Sequence, residues 1–140
     1  MENRKYRPKK FPSVSRIMST KSKDLYSRLT RTRIEKSIQR FYEMAFDDPI
    51  IGHLFLNTER ETLIQKQIFF ACTMLGGPES YKGKDLRSAH AHLKLKRAHF
   101  GRRQVLMKEA LEQCEIEDDL AKAWLALEAK LQSVVLHRRI

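Results

Sequence analysis

Apolar residues return every three or four positions in one segment after another of this chain, and few residues that turn a chain sharply lie between those segments. Ile34, Ile38, Phe41, Tyr42 and Ala45 share one helical face with charged residues between them, and the run stops at Asp47-Asp48-Pro49. Only 5 Gly and 4 Pro occur in 140 residues, fewer than a sheet protein with many hairpins needs. The pattern predicts an all-α domain, and the length leaves room for a single core.

The rest of the chain fits that reading. Ile50 to Leu56 is a short apolar stretch, after which Asn57 or Thr58 is expected to cap a helix whose first turn holds Glu59 and Glu61, as the helix dipole prefers. In that helix Leu63, Gln67, Phe70 and Met74 form one stripe, apolar except for a single amide. Gly76-Gly77-Pro78 is a strong stop, and a loop through Tyr81 and Gly83 leads to a short helical piece near Leu86 to Leu93. Phe100, Val105, Leu106, Ala110 and Leu111 predict a long helix. Asp118 or Asp119 opens the last one, with Leu120, Trp124, Leu127, Leu131, Val134 and Val135 as core candidates.

Charge is spread unevenly. Of the net +11, residues 1–23 hold +7, eight basic side chains against Glu2, and with Pro8, Pro12 and no helical period they read as a solvated, disordered arm ahead of a domain spanning 24–140. Such an arm is an electrostatic handle for nucleic acid, an acidic partner protein or an anionic membrane face, or else a solubilising extension. Basic residues from Arg87 to Arg103 and acidic ones from Glu112 to Asp119 polarise the surface of the body. No stretch approaches the roughly 18 apolar residues of a membrane span, and MENRKYRPKKF lacks the apolar segment of a signal peptide, so a cytoplasmic protein is expected. Cys72 and Cys114 lack the CxxCH pattern of covalent haem attachment and read as reduced packing residues.

Three histidines, His90, His92 and His99, lie within ten positions. A zinc site fits poorly, because His90 and His92 would point to nearly opposite sides of a helix and neither cysteine has a partner at zinc-knuckle spacing. No nucleophilic triad and no Gly-Lys-Ser/Thr phosphate loop is present. Tyr42 and Gln67 interrupt otherwise apolar stripes, where a buried phenol or amide without a partner costs about 1 to 3 kcal/mol. A bound ligand is one candidate partner.

The run FYEMAFDDPIIGHLF, followed by KQIFFACTMLGGPESYKGKDLRSAHAHLKLKRAHF, resembles the group I truncated haemoglobins, with Phe41-Tyr42, Phe55, Gln67, Gly76-Gly77-Pro78, Tyr81, Leu86, His90 and Phe100 in step. The resemblance covers about residues 24 to 136 and joins separate segments in the right order. One departure stands out: the family often has Gly-Gly between its first short helix and the next, where this chain has Leu29-Thr30-Arg31-Thr32.

The resemblance implies a two-over-two helical sandwich holding a b-type haem, with His90 as the proximal iron ligand and His92 and His99 not ligands. It implies Phe55 wedged against the haem face, and Phe41, Leu63, Leu95 and Phe100 lining the pocket. Tyr42 and Gln67 become the distal pair that donates to bound dioxygen, Leu63 stands where the family usually has a distal histidine, and Phe70 matches a proposed tunnel gate. Lys66 and Arg87 are placed to pair with haem propionates. For each apolar residue, plain core packing accounts equally for its type.

The function implied is binding of dioxygen, nitric oxide or carbon monoxide, with oxidation of nitric oxide to nitrate as the candidate enzymatic activity, that of a nitric oxide dioxygenase. No reductase domain fits in 140 residues, so a separate electron donor is implied, which the basic arm could dock if acidic. A rival of another class is a haem-based sensor or interaction module working through the arm. Peroxidase chemistry ranks last, since Tyr42 and Gln67 are weak acid–base groups for cleaving a peroxide.

Overall fold

A computed structural model describes the backbone of residues 21–78 and 96–136 and the side chains of 25–78 and 96–132. Helix α1 is Lys21–Leu29, α2 is Arg31–Ala45, a 3-10 turn covers Gly52–Phe55, α3 is Arg60–Met74, α4 is Arg97–Gln113 and α5 is Asp118–Leu136. No strand occurs among the described residues. Helix α1 opens inside the last residues of the stretch that reads as an arm.

Helix α2 is the centre of the packing. It lies against both α3 and α4, α4 lies against α5, and α1 closes onto α2 and α5. Its buried side chains are Ile34, Ser37, Ile38, Phe41, Tyr42 and Ala45, the face that periodicity picks out with Ser37 added. Trp124 of α5 and Phe41 are the largest fully buried side chains, and Leu120, Leu127 and Leu131 join Trp124 in the core. Burying a side chain of this size contributes about 1.5 to 3 kcal/mol, so the α2, α4 and α5 contacts supply much of the stability. Val134 and Val135 lie outside the described side chains. Among the described residues no helix is long and apolar enough to cross a membrane.

Three local expectations need correction. Glu59, not Asn57 or Thr58, caps α3, its carboxylate accepting from the Thr62 backbone N–H at 2.7 Å. A carboxylate reaches the third amide of the helix as a shorter capping side chain does, and its charge suits the positive end of the dipole. Val105 is 53% exposed, because the buried face of α4 is Leu106, Met107, Ala110 and Leu111. On α3 the deeply buried face is Ile68, Ala71 and Cys72, continued by Leu75 just past its end; of the predicted stripe only Met74 joins it, while Leu63, Gln67 and Phe70 are half-buried.

Helix ends show how the chain is steered. Gly76, at φ 96°, closes α3 in a Schellman motif in which the Gly77 N–H reaches the Cys72 carbonyl at 2.8 Å and the Gly76 N–H reaches Thr73 at 3.1 Å. Helix α4 ends the same way, with Ile116 bonded back to Leu111 at 3.0 Å and Glu115 to Glu112 at 3.0 Å. There Glu115 takes the left-handed position at φ 60°. At the α1–α2 corner, where the family often has glycines, Thr30 stands at φ 72°, ψ 152° and its hydroxyl caps α2 at the Arg33 N–H, 3.5 Å away. The corner is kept, but at a threonine in a conformation suited to glycine.

Candidate functional site

The site is built where the C-terminal end of α2 meets the 3-10 turn. Gly52 permits this approach: a Cβ there would stand 2.9 Å from the Phe46 carbonyl oxygen. Asp48 fixes the turn, its Oδ2 accepting from the Ile50 and Ile51 N–H groups at 2.9 and 3.1 Å while Oδ1 accepts from Arg102 Nε and Nη2 at 3.0 and 2.7 Å. The Arg102 bonds, ahead of the backbone ones, hold the Asp48 carboxyl below its ordinary pKa despite its burial.

The turn carries Phe55 to the Tyr42 ring, with centroids 5.7 Å apart and the planes 80° apart. Phe46 stands 5.5 Å from both rings, and Phe41 packs edge-on to Tyr42 at 4.7 Å. Edge-to-face pairs of this kind add about 0.5 to 1.5 kcal/mol each beyond burial and restrict the Tyr42 ring to one orientation. Arg60 caps the cluster with its guanidinium carbon 4.4 Å from the centre of the Phe46 ring.

Tyr42 is only 4% exposed, and its hydroxyl is not left alone as the sequence pattern allowed. The Arg103 guanidinium of α4 is near enough for its charge to act on the phenol. Burial raises the phenol pKa, and the nearby guanidinium only partly opposes this, so Tyr42 remains a neutral donor. Arg103 also stacks over the Phe41 ring, 4.8 Å from its centre, and its Nη1 donates to Glu128 Oε1 of α5 at 2.6 Å. The Glu128 carboxylate has two further donors: Gln104 Nε2 reaches Oε1 at 3.3 Å and Trp124 Nε1 donates to Oε2 at 3.0 Å. Burial works against the Arg103 charge, but Glu128 and then Tyr42 more than compensate, and its pKa is raised.

Sequence reasoning misses this network, because Arg102 and Arg103 read there as part of a basic surface. Both turn to carboxylates instead. A signal exists: Arg103 lies three and four residues before the buried Leu106 and Met107, and Glu128 lies four after Trp124 on the buried face of α5.

Gln67 is half-buried, and among the described residues its amide has no hydrogen-bond partner. Leu63, Phe70 and Phe100 are half-buried, Phe41 is wholly in the core and Lys66 is exposed. His99 caps α4, its Nδ1 accepting from the Lys96 N–H at 3.1 Å, and it faces the exposed His53 ring at 5.5 Å. Arg87, His90, His92 and Leu95 lie outside the described residues. Neither Cys72, which is buried, nor Cys114, which is half-buried, is in a disulfide among the described residues.

The chain belongs to the bacterial-like globin family, whose sequence model matches residues 24–136. Within that family its relatives are truncated haemoglobins. It is 31% identical to the group 1 truncated hemoglobin of Tetrahymena pyriformis over 81 residues, 57% of this chain and 67% of that one. It is 36% identical to the group 1 protein of Tetrahymena thermophila over 64 residues, covering 46% of this chain and 53% of the relative.

The fold matches the crystal structure of the T. pyriformis truncated hemoglobin in its Fe(III) form with a TM-score of 0.77 at 23% identity, covering 81% of this chain and 98% of that one. The 2/2 hemoglobin of a Synechococcus species, solved in the cyanomet state with covalently attached heme, matches with a TM-score of 0.77 at 24% identity and the same coverage. At such identities the likeness establishes the fold, the two-over-two helical sandwich.

Membership of the globin family implies haem and a gaseous ligand. The chain's own residues fit that group on the side they describe. An aromatic wall of Phe46 and Phe55, half-buried apolar Leu63 and Phe70, and a Gln67 amide unpartnered among the described residues suit a flat apolar cofactor whose ligand accepts hydrogen bonds.

Proposed function

We propose that the protein binds dioxygen or nitric oxide at a b-type haem held by His90. Haem, when bound, supplies the iron that takes a diatomic gas, and the chain supplies the mount, the apolar enclosure and the hydrogen-bond donors. Phe41, Phe55, Leu63, Leu95 and Phe100 enclose the ring, Lys66 and Arg87 pair with its propionates, and Phe70 borders the route of entry. Tyr42 and Gln67 donate to a negatively polarised ligand such as dioxygen, which neutral carbon monoxide exploits less. The observation that carries this reading is a phenol and an amide, the latter unpartnered among the described residues, set among half-buried apolar side chains.

Oxidation of nitric oxide to nitrate is the reaction class this arrangement suits. Both atoms of dioxygen pass to nitric oxide, and one electron per turnover must come from a reductant. The basic arm, residues 1–23, is suited to dock an acidic donor. That requirement fits a protein working inside the cytoplasm.

The test is the absorption spectrum of the haem-reconstituted full chain in ferric, ferrous and carbon monoxide forms, beside His90→Ala. A stoichiometric histidine-ligated spectrum that collapses in the variant is expected. With that in place, Tyr42→Phe should speed dioxygen release by about ten- to a hundredfold in stopped flow, the equivalent of one charge-assisted bond. A wild type that retains no haem would overturn the proposal.

A further inference from the structure

His99 holds the start of α4 through a nitrogen that has no proton. Its Nδ1 accepts from the Lys96 N–H at 3.1 Å, while its own backbone N–H donates to the Lys96 carbonyl at 2.9 Å, so the first turn of the helix is tied in both directions. An imidazole nitrogen accepts a hydrogen bond only when it is bare, and the neutral ring then keeps its one proton on Nε2. Protonating His99 puts a second proton on Nδ1, and the bond from Lys96 is lost.

The surroundings resist that proton. Helix α4 has no acidic residue in its first turn, and its N-terminus is the positive end of the dipole. The charges that act on His99 are His53 of the 3-10 turn, whose ring stands 5.5 Å away with the planes 64° apart, and Lys96 of its own helix start. Asp48, the carboxylate of the turn, is engaged by Arg102. Loss of hydration first, then His53 and Lys96, hold the His99 pKa below its ordinary value. A metal ion does not fit the pair. The neutral ring can offer Nε2 to a metal only if its proton moves to Nδ1, where Lys96 already donates, and among the described residues no third ligand completes a cluster.

We propose that His53 and His99 are a proton-operated latch between the 3-10 turn and the start of α4, closed while the rings are neutral and released when acid protonates them. Two imidazoliums at this spacing repel one another, and the bond that capped α4 is gone at the same time. Because the folded His99 pKa is depressed, the opened form takes the proton first. The latch is therefore whole above about pH 6.5 and is lost as pH falls through the folded value. The turn that carries His53 also brings Phe55 to the Tyr42 ring, so the latch braces the segment on which that contact depends.

The test follows the full chain as purified by NMR from about pH 8 to about pH 5, reduced and saturated with carbon monoxide where it holds haem. In wild type the His99 ring nitrogens should show a bare Nδ1 at the alkaline end, and exchange protection of the Lys96 amide should fall about two- to tenfold at the acid end, the worth of one hydrogen bond. His99→Gln keeps an oxygen that accepts from the Lys96 N–H but has nothing to titrate, so its protection should stay level over the same range. His53→Gln removes the facing charge, and His99 should then titrate at higher pH than in wild type.

A proton on Nδ1 at the alkaline end, or wild-type Lys96 protection that does not change with pH, would overturn the latch. So would an equal loss in His99→Gln, which assigns the change to fraying of the helix start, or a His99 titration unmoved by His53→Gln, which leaves the two rings uncoupled. If a variant fails to fold by circular dichroism, the wild-type ring and amide signals decide alone. A chain that takes up no haem would remove the gas-binding reading and leave this test as it stands.

Discussion

Arginine meets carboxylate at two depths in this fold, and the two regions behave differently. At the corner where α1, α2 and α5 come together, Arg28 pairs with Asp119 at 3.0 Å and Arg33 pairs with Glu117, with side-chain exposures of 55% and 63% in the first pair and 32% and 55% in the second. Between α4 and α5, Arg103 pairs with Glu128 at exposures of 24% and 7%. The chemistry is the same but the dielectric is not. Water and salt screen the corner pairs, so they add little beyond orientation. The interior pair is screened little and costs desolvation, so it persists only because Glu128 and Arg103 each have several further partners.

Removing one partner of the interior pair should therefore have the largest effect. Glu128→Ala leaves Arg103 and the Trp124 N–H without their acceptor, while the Gln104 amide keeps the Leu125 carbonyl at 3.4 Å, and should cost about 3 kcal/mol, a fall in Tm on the order of 10 °C by calorimetry. A fall under about 3 °C would show that water reaches the pair and that the two regions differ less than their exposures suggest.

Asp48 is the intermediate case, because its carboxylate is 3% exposed while its partner Arg102 is 32% exposed. Asp48→Asn should cost about 1 kcal/mol at neutral pH, the difference between a charge-assisted and a neutral bond. The folded-state pKa of Asp48 lies below its unfolded value of about 3.9, chiefly through Arg102, so its contribution is complete above that value. It is lost as pH falls through the depressed folded value. The gap in Tm between wild type and Asp48→Asn should be constant above about pH 5 and close as acid is added below about pH 4. A gap that persists at the lowest pH would assign the effect to turn geometry instead of charge.

The corner pairs should matter least. Arg33→Ala, which cuts the link to Glu117, should move Tm by less than about 2 °C at low salt, and molar salt should erase the difference. A larger effect would place it with the Arg33 bond to the Arg28 carbonyl at 3.4 Å, which ties the α1–α2 corner regardless of charge.

What can be read in advance follows the same division between local and distant causes. The end of α3 is legible at Gly76 because a glycine announces a left-handed residue. The matching end of α4 is not, since Glu115 takes that conformation with no chemical sign of it. Tyr42 and Gln67 can be singled out as polar residues on apolar stripes, yet the cation whose charge acts on Tyr42 lies 61 positions away on α4 and no local pattern names it. Val105 misleads for a related reason: its neighbours Leu106 and Met107 define the buried face, and one apolar side chain beside them sits outside it.

By itself the sequence determined the helical class, the buried faces of α2 and α5, the ends of α2 and α3, the start of α5 and the order of the segments that mark a truncated haemoglobin, because these depend on residues within one or two turns of each other. Only the tertiary structure decided which of two adjacent arginines takes the buried carboxylate of the turn, Asp48, and which lies between α4 and α5 against Glu128. Periodicity fixes a residue's direction about its own helix axis. The depth of that direction, and the charge waiting there, depend on which other helix packs against it.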